Sequence, residues 1–121
     1  MKRILVAEDE TLISSLIRRK LASAGYTVII AADGNKALQL TLQDKPDLLL
    51  LDIVLPGREG LEVCREVKAA LGDEAPPVIL ISGRGRQVDV QAGLKAGADD
   101  YIIKPFSPRL LLEHVQTALG D

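Results

Sequence analysis

Three features of the sequence predict an α/β fold built as a mostly parallel sheet with helices on both faces. Five short, nearly continuous apolar runs recur along the chain, and segments with helical spacing separate them. The length and branching of the runs suit strands buried on both faces. A repeated strand-then-helix order joins parallel strands by right-handed crossovers.

The elements follow in order. Ile4–Ala7 is the first run, and Leu12, Leu16, Ile17 and Leu21 then mark one face of a helix that Gly25 stops. Thr27–Ile30 is the second run, followed by Ala37, Leu38 and Leu42 at helical spacing. Leu48–Leu51 is the third, with Leu61, Val63, Cys64, Val67 and Leu71 behind it. Val78–Ile81 is the fourth, with a weaker helical outline in Val88, Ala92, Leu94 and Lys95. Tyr101–Ile103 is the fifth, and Ser107-Pro108 is an N-cap and first-turn pair for a last helix carrying Leu111, Leu112 and Val115. Residues 1–121 read as one domain without repeat or linker, either a complete protein or a larger one divided at a boundary.

Composition narrows the function. The chain is 47% apolar but has two tyrosines, one phenylalanine and no tryptophan, so the core must be aliphatic. Fifteen basic against seventeen acidic side chains give a formal charge of -2, no field for holding nucleic acid. Cys64 stands alone, which excludes an internal disulfide and reads as an apolar filler. Glu8, Asp9 and Glu10 interrupt the opening apolar run, so it is not a signal peptide, and no stretch is long enough to span a bilayer. A cytoplasmic location follows as the expectation.

Ligands of an open parallel sheet bind beyond the carboxyl ends of its strands. There the first run delivers Glu8-Asp9, the third Asp52, the fourth Ser82 and the fifth Lys104 followed by Pro105. Clustered carboxylates need a cation, and oxygen ligands without His or Cys favour magnesium or calcium over zinc. Lys104 and the Ser82 hydroxyl suit phosphoryl oxygens. Together the set can neutralise a phosphoryl group moving in line onto a carboxylate. Taken singly, each residue has a plainer role. An acidic residue at a strand end is usually a cap or turn residue, Lys104 a solvated side chain, Ser82 a turn hydroxyl and Pro105 trans. Their arrival at one sheet edge on separate strands favours the joint reading.

With these residues stands a longer set: Ala32-Asp33-Gly34, Pro46-Asp47, Asp52-Ile53-Val54-Leu55-Pro56, Gly60, and Gly97-Ala98-Asp99-Asp100-Tyr101-Ile102-Ile103-Lys104-Pro105-Phe106. From Ile4 to Leu119 the sequence resembles the receiver domains of two-component response regulators. The resemblance implies a flavodoxin-like (βα)5 fold with strand order 2-1-3-4-5. It implies a phospho-accepting regulatory domain rather than an enzyme, catalysing only its own phosphotransfer and autodephosphorylation. Asp52 would take the phosphoryl group from the phosphohistidine of a sensor histidine kinase or phosphotransfer protein. Asp9, Asp52 and the Val54 backbone carbonyl would bind Mg2+, with Glu8 acting mostly through water. Ser82 and Tyr101 would form the switch, Tyr101 swinging inward behind Ser82, and the Lys104–Pro105 bond would be cis. An aromatic merely covering the sheet end is the plainer reading of Tyr101.

Val54 and Arg84 occupy positions that vary in the family beside the acceptor. Gly83-Arg84-Gly85-Arg86 reads as a solvated loop or as one that closes over the phosphoryl group. The last segments are most similar to receivers that precede winged-helix DNA-binding domains. Those pair charges between the fourth and fifth helices of two subunits, where this chain carries Val90, Leu110 and His114. If Val90, Leu94 and Leu110 are exposed, they form an apolar patch for an output domain, a partner or a second copy; burial of Leu110 in the core is the alternative. His114 reads as a surface residue toward a helix C-terminus.

Three other functions compete with the switch. A degenerate receiver would act as an interaction module independent of phosphorylation. A magnesium phosphohydrolase would want a second carboxylate where Val54 stands, and a cap. A flavin domain would want a phosphate-binding loop where Glu8-Asp9-Glu10 stands.

Overall fold

In the computed structural model, which describes all 121 residues, the strands are β1 Arg3–Ala7, β2 Thr27–Ala31, β3 Leu48–Asp52, β4 Val78–Ser82 and β5 Asp100–Ile103. Helices α1 Thr11–Ser23, α2 Gly34–Asp44, α3 Gly60–Leu71, α4 Gln87–Lys95 and α5 Pro108–Leu119 alternate with them, and a 3-10 turn at Gly72–Glu74 follows α3. All pairings are parallel and the sheet order is β2-β1-β3-β4-β5. This is the flavodoxin-like doubly wound fold.

Strand periodicity divides the core in two. On one face Leu49, Leu51, Val78 and Leu80 pack with Ala37 of α2 and with Val63, Cys64 and Val67 of α3. On the other, Leu48, Leu50, Ile79, Ile81 and Ile102 pack with Ile17 and Leu21 of α1 and Leu111 and Val115 of α5. β3 and β4 are buried along their whole length. Burial on both faces does not extend to β2 and β5, which are only partly buried, because edge strands have one neighbour instead of two. Cys64 is buried, and burial pushes its thiol up to about 11, which fits a filler role.

The helices keep their predicted places but turn differently. In α1 the buried stripe is Ser14, Ile17 and Leu21, while Leu12 is 88% exposed and Leu16 also lies in solvent. Thr41 rather than Leu42 is buried in α2, its hydroxyl donating to the Ala37 carbonyl. α4 leaves Val88 and Leu94 exposed and buries only Gly93. In α5 the Ser107 hydroxyl accepts from the Leu110 N–H at 3.0 Å and Pro108 opens the first turn. Leu110 is 41% exposed, so it does not belong to the core. His114 is part-buried, with Nδ1 on the Asp100 carboxylate, so it bridges α5 to β5 rather than standing free. No helix is long and apolar enough to cross a membrane.

Candidate functional site

Register brings the strand ends level. β3 and β4 align Asp52 with Ile81, and β4 and β5 align Ser82 with Ile103. Just beyond the strands the ladder continues: Glu8 N–H donates to the Ala31 carbonyl, Ile53 N–H to Ile81 and Lys104 N–H to Ser82. The loop from Asp52 to α3 turns very tightly. A Cβ on Gly60 would fall 2.1 Å from the Asp52 carbonyl oxygen, so only glycine allows α3 to start there.

At this edge Glu8, Asp9 and Asp52 offer carboxylate oxygens that all lie within 4.8 Å of one another. Glu8 and Asp52 are buried and Asp9 is exposed. The Lys104 ammonium donates to Asp52 Oδ2 at 2.6 Å and to Glu8 Oε1 at 2.9 Å. The other oxygens are partnered too: Asp52 Oδ1 accepts from the Val54 N–H at 2.9 Å, and Glu8 Oε2 from the Glu10 N–H at 3.1 Å. The Lys104–Pro105 peptide is cis.

Three carboxyl groups face one ammonium, and the proton affinities reflect it. Burial, reinforced by neighbouring Asp52, pushes the Glu8 carboxyl up to about 7 against the opposing pull of the Glu10 N–H and Lys104. Burial alone would lower Lys104, but its bonds to Asp52 and Glu8 outweigh that and hold it above the ordinary lysine value. A divalent cation fits this site. The donors are hard oxygens, anionic charge exceeds the single ammonium, and one carboxylate is open to solvent.

Ser82 is buried, and its Oγ accepts from the Arg84 N–H at 3.0 Å. The Tyr101 hydroxyl donates to the Arg84 carbonyl at 2.6 Å, outside the carboxylate cluster. Arg84 therefore links Ser82 to Tyr101 through its own peptide groups. No side-chain pattern signals this link, because every residue carries the same backbone. The Gly83–Arg86 loop is exposed, and Gly85 lies against Ile103. The Val54 side chain is exposed beside the site.

The family model for the response regulator receiver domain matches residues 4–116. The chain is a response regulator receiver domain. In this family the domain is the phospho-accepting, regulatory part of a two-component response regulator rather than an enzyme in the ordinary sense. Solved receivers superpose closely. A CheY-like receiver domain protein from Methanospirillum hungatei JF-1 is 34% identical with a TM-score of 0.91, covering 99% of this chain and 94% of that one. The beryllofluoride-activated N-terminal receiver domain of Klebsiella pneumoniae RstA is 30% identical with a TM-score of 0.91, over 99% of this chain and 100% of that one. NtrX from Brucella abortus is 34% identical with a TM-score of 0.87 over 98% of this chain but 27% of its own, so there a receiver is part of a longer protein.

Proposed function

We propose that this receiver takes a phosphoryl group on Asp52 from the phosphohistidine of a sensor histidine kinase or phosphotransfer protein in the cytoplasm. It would then change the surface formed by α4, β5 and α5 for an output domain or partner. The observation that carries the reading is the buried Asp52 carboxylate, held by Lys104 at 2.6 Å within the acidic cluster of Glu8 and Asp9.

An Asp52 carboxylate oxygen forms the new P–O bond as the P–N bond to the donor imidazole breaks, and the imidazole leaves with the electron pair and takes up a proton. Lys104 can move its ammonium from the Asp52 oxygen to a phosphoryl oxygen without leaving the site. Asp9, Asp52 and the Val54 backbone carbonyl would hold Mg2+, with Glu8 reaching it through water. Magnesium bound there would neutralise phosphoryl charge in the transition state. Ser82 would give up the Arg84 N–H, turn its hydroxyl toward the phosphoryl group, and draw Tyr101 inward. That would shift the population of α4–β5–α5 arrangements that partners read.

Two surfaces suit the partners. A groove of about 360 Å³ lined by Ile13, Leu16, Lys104, Pro105 and Phe106 adjoins the acceptor through Lys104, and fits an apolar helix face of the phosphodonor. On the other flank Val88, Leu94, Ile103 and Leu110 are exposed on α4, β5 and α5, which supports an apolar output or homodimer contact.

Intact-mass spectrometry after incubation with acetyl phosphate and magnesium tests the central step. A single phosphoryl adduct that needs magnesium and is absent from Asp52→Asn supports it. No adduct, with beryllofluoride also failing to bind, would leave a phosphorylation-independent interaction module instead.

A further inference from the structure

α4 is the shortest of the five helices, and the single residue it buries is a glycine, Gly93. The other four each bury at least two residues that carry side chains. Glycine inside a helix is unfavourable relative to alanine, because more backbone freedom is lost on ordering it. At Gly93 the compensating factor is space. A Cβ there would lie 2.8 Å from Leu80 Cδ1, and 3.1 and 3.2 Å from Tyr101 Cδ2 and Cε2. Carbon atoms prefer roughly 3.5–4.0 Å, so something would have to move. Leu80 is fully enclosed in the core, whereas the Tyr101 ring is only half-buried on the edge strand. The ring is the group with room to yield.

We infer that Gly93 is a positioning residue for Tyr101: its missing side chain leaves the slot in which the ring lies, keeping the hydroxyl on the Arg84 carbonyl. Because the Arg84 N–H also engages Ser82 Oγ, a ring driven from the slot disturbs the hydroxyl at the carboxyl end of β4. α4 gains its seat on the sheet from the same gap, so ring position and helix position are coupled at one contact. The slot rests on this packing alone, and its bearing on signalling rests on Ser82 and Tyr101 acting as the proposed switch pair.

Tyrosine content makes the test direct. The chain has two tyrosines and no tryptophan, so 3-fluorotyrosine in a Tyr26→Phe background gives a 19F signal from Tyr101 alone. In metal-free protein, Gly93→Ala should displace that signal by more than its linewidth, while Gln91→Ala, exposed on the same helix, should leave it in place. Circular dichroism checks that each variant is folded. If Gly93→Ala does not fold, Gly93→Ala with Leu80→Val removes the Leu80 clash while keeping the ring contact, and the same displacement is expected. A Tyr101 signal unchanged in a folded Gly93 variant overturns the inference. Adding beryllofluoride and magnesium separates this from the switch itself. A parent signal that ignores them removes Tyr101 as a phosphorylation reporter, while displacement in Gly93→Ala would still uphold the slot.

Discussion

Lys104 touches both buried carboxylates, and the site's charge balance turns on that one ammonium. The Glu8 carboxyl is left with a proton affinity near neutrality, raised from 4.5 to about 7 chiefly by burial. The sign follows from linkage. Between those pH values the folded protein holds a proton that the unfolded chain has released, so metal-free stability falls as pH rises through the window. The loss is up to about 3 kcal/mol at about 1.4 kcal/mol per unit. Urea unfolding in a chelator at about pH 5 and about pH 7.5 should show this fall in the wild type, and a much smaller one in Glu8→Gln. Equal pH slopes in the two proteins would show that Glu8 is not the group responsible. Magnesium favours the ionised carboxyl, so adding it should reduce the fall.

At the scale of elements, helix phase decides which apolar residues are free to bind. α1 carries two leucine-bearing stripes, Leu12 with Leu16 and Ile17 with Leu21, about 140° apart around the axis. The sheet buries the second and leaves the first facing solvent, with Leu16 beside Pro105 and Phe106. If the phosphodonor helix docks there, Leu16→Glu should slow phosphotransfer from the kinase by about tenfold, equivalent to about 1.4 kcal/mol. Labelling by acetyl phosphate should be unchanged, since a small donor needs no groove. Equal slowing with both donors would place the defect in the acceptor site instead. In α4 the weak helical outline has a structural counterpart, a helix seated through a glycine and the edge of an aromatic ring.

For the molecule as a whole, two apolar surfaces accompany one acceptor edge. The first is the groove between α1 and the β5–α5 loop, and the second is the exposed apolar set on α4, β5 and α5. The second surface exposes Leu94 and Leu110, and the proposed contact between two copies would be apolar there. With beryllofluoride and magnesium, sedimentation should show the wild type heavier than Leu110→Glu, with dimer affinity reduced about tenfold or more in the variant. Identical sedimentation would rule out dimerisation through this face.

The alternation of apolar runs and helical spacings determined the class of fold and the number and order of its elements, because both periods are local properties of the chain. The residues Glu8, Asp9, Asp52, Ser82 and Lys104 were legible for a related reason: a parallel sheet sends every strand's carboxyl end to the same edge. Rotation was not legible. Whether Leu12, Leu16, Leu94 and Leu110 face the core or the solvent depends on where neighbouring elements dock, and an apolar residue reads the same in either place. The Arg84 link between Ser82 and Tyr101 was equally hidden, because it runs through peptide groups that all residues share. Composition and periodicity record what each segment prefers alone. Only the packed structure decided which preferences were met by the core and which were left on the surface for partners.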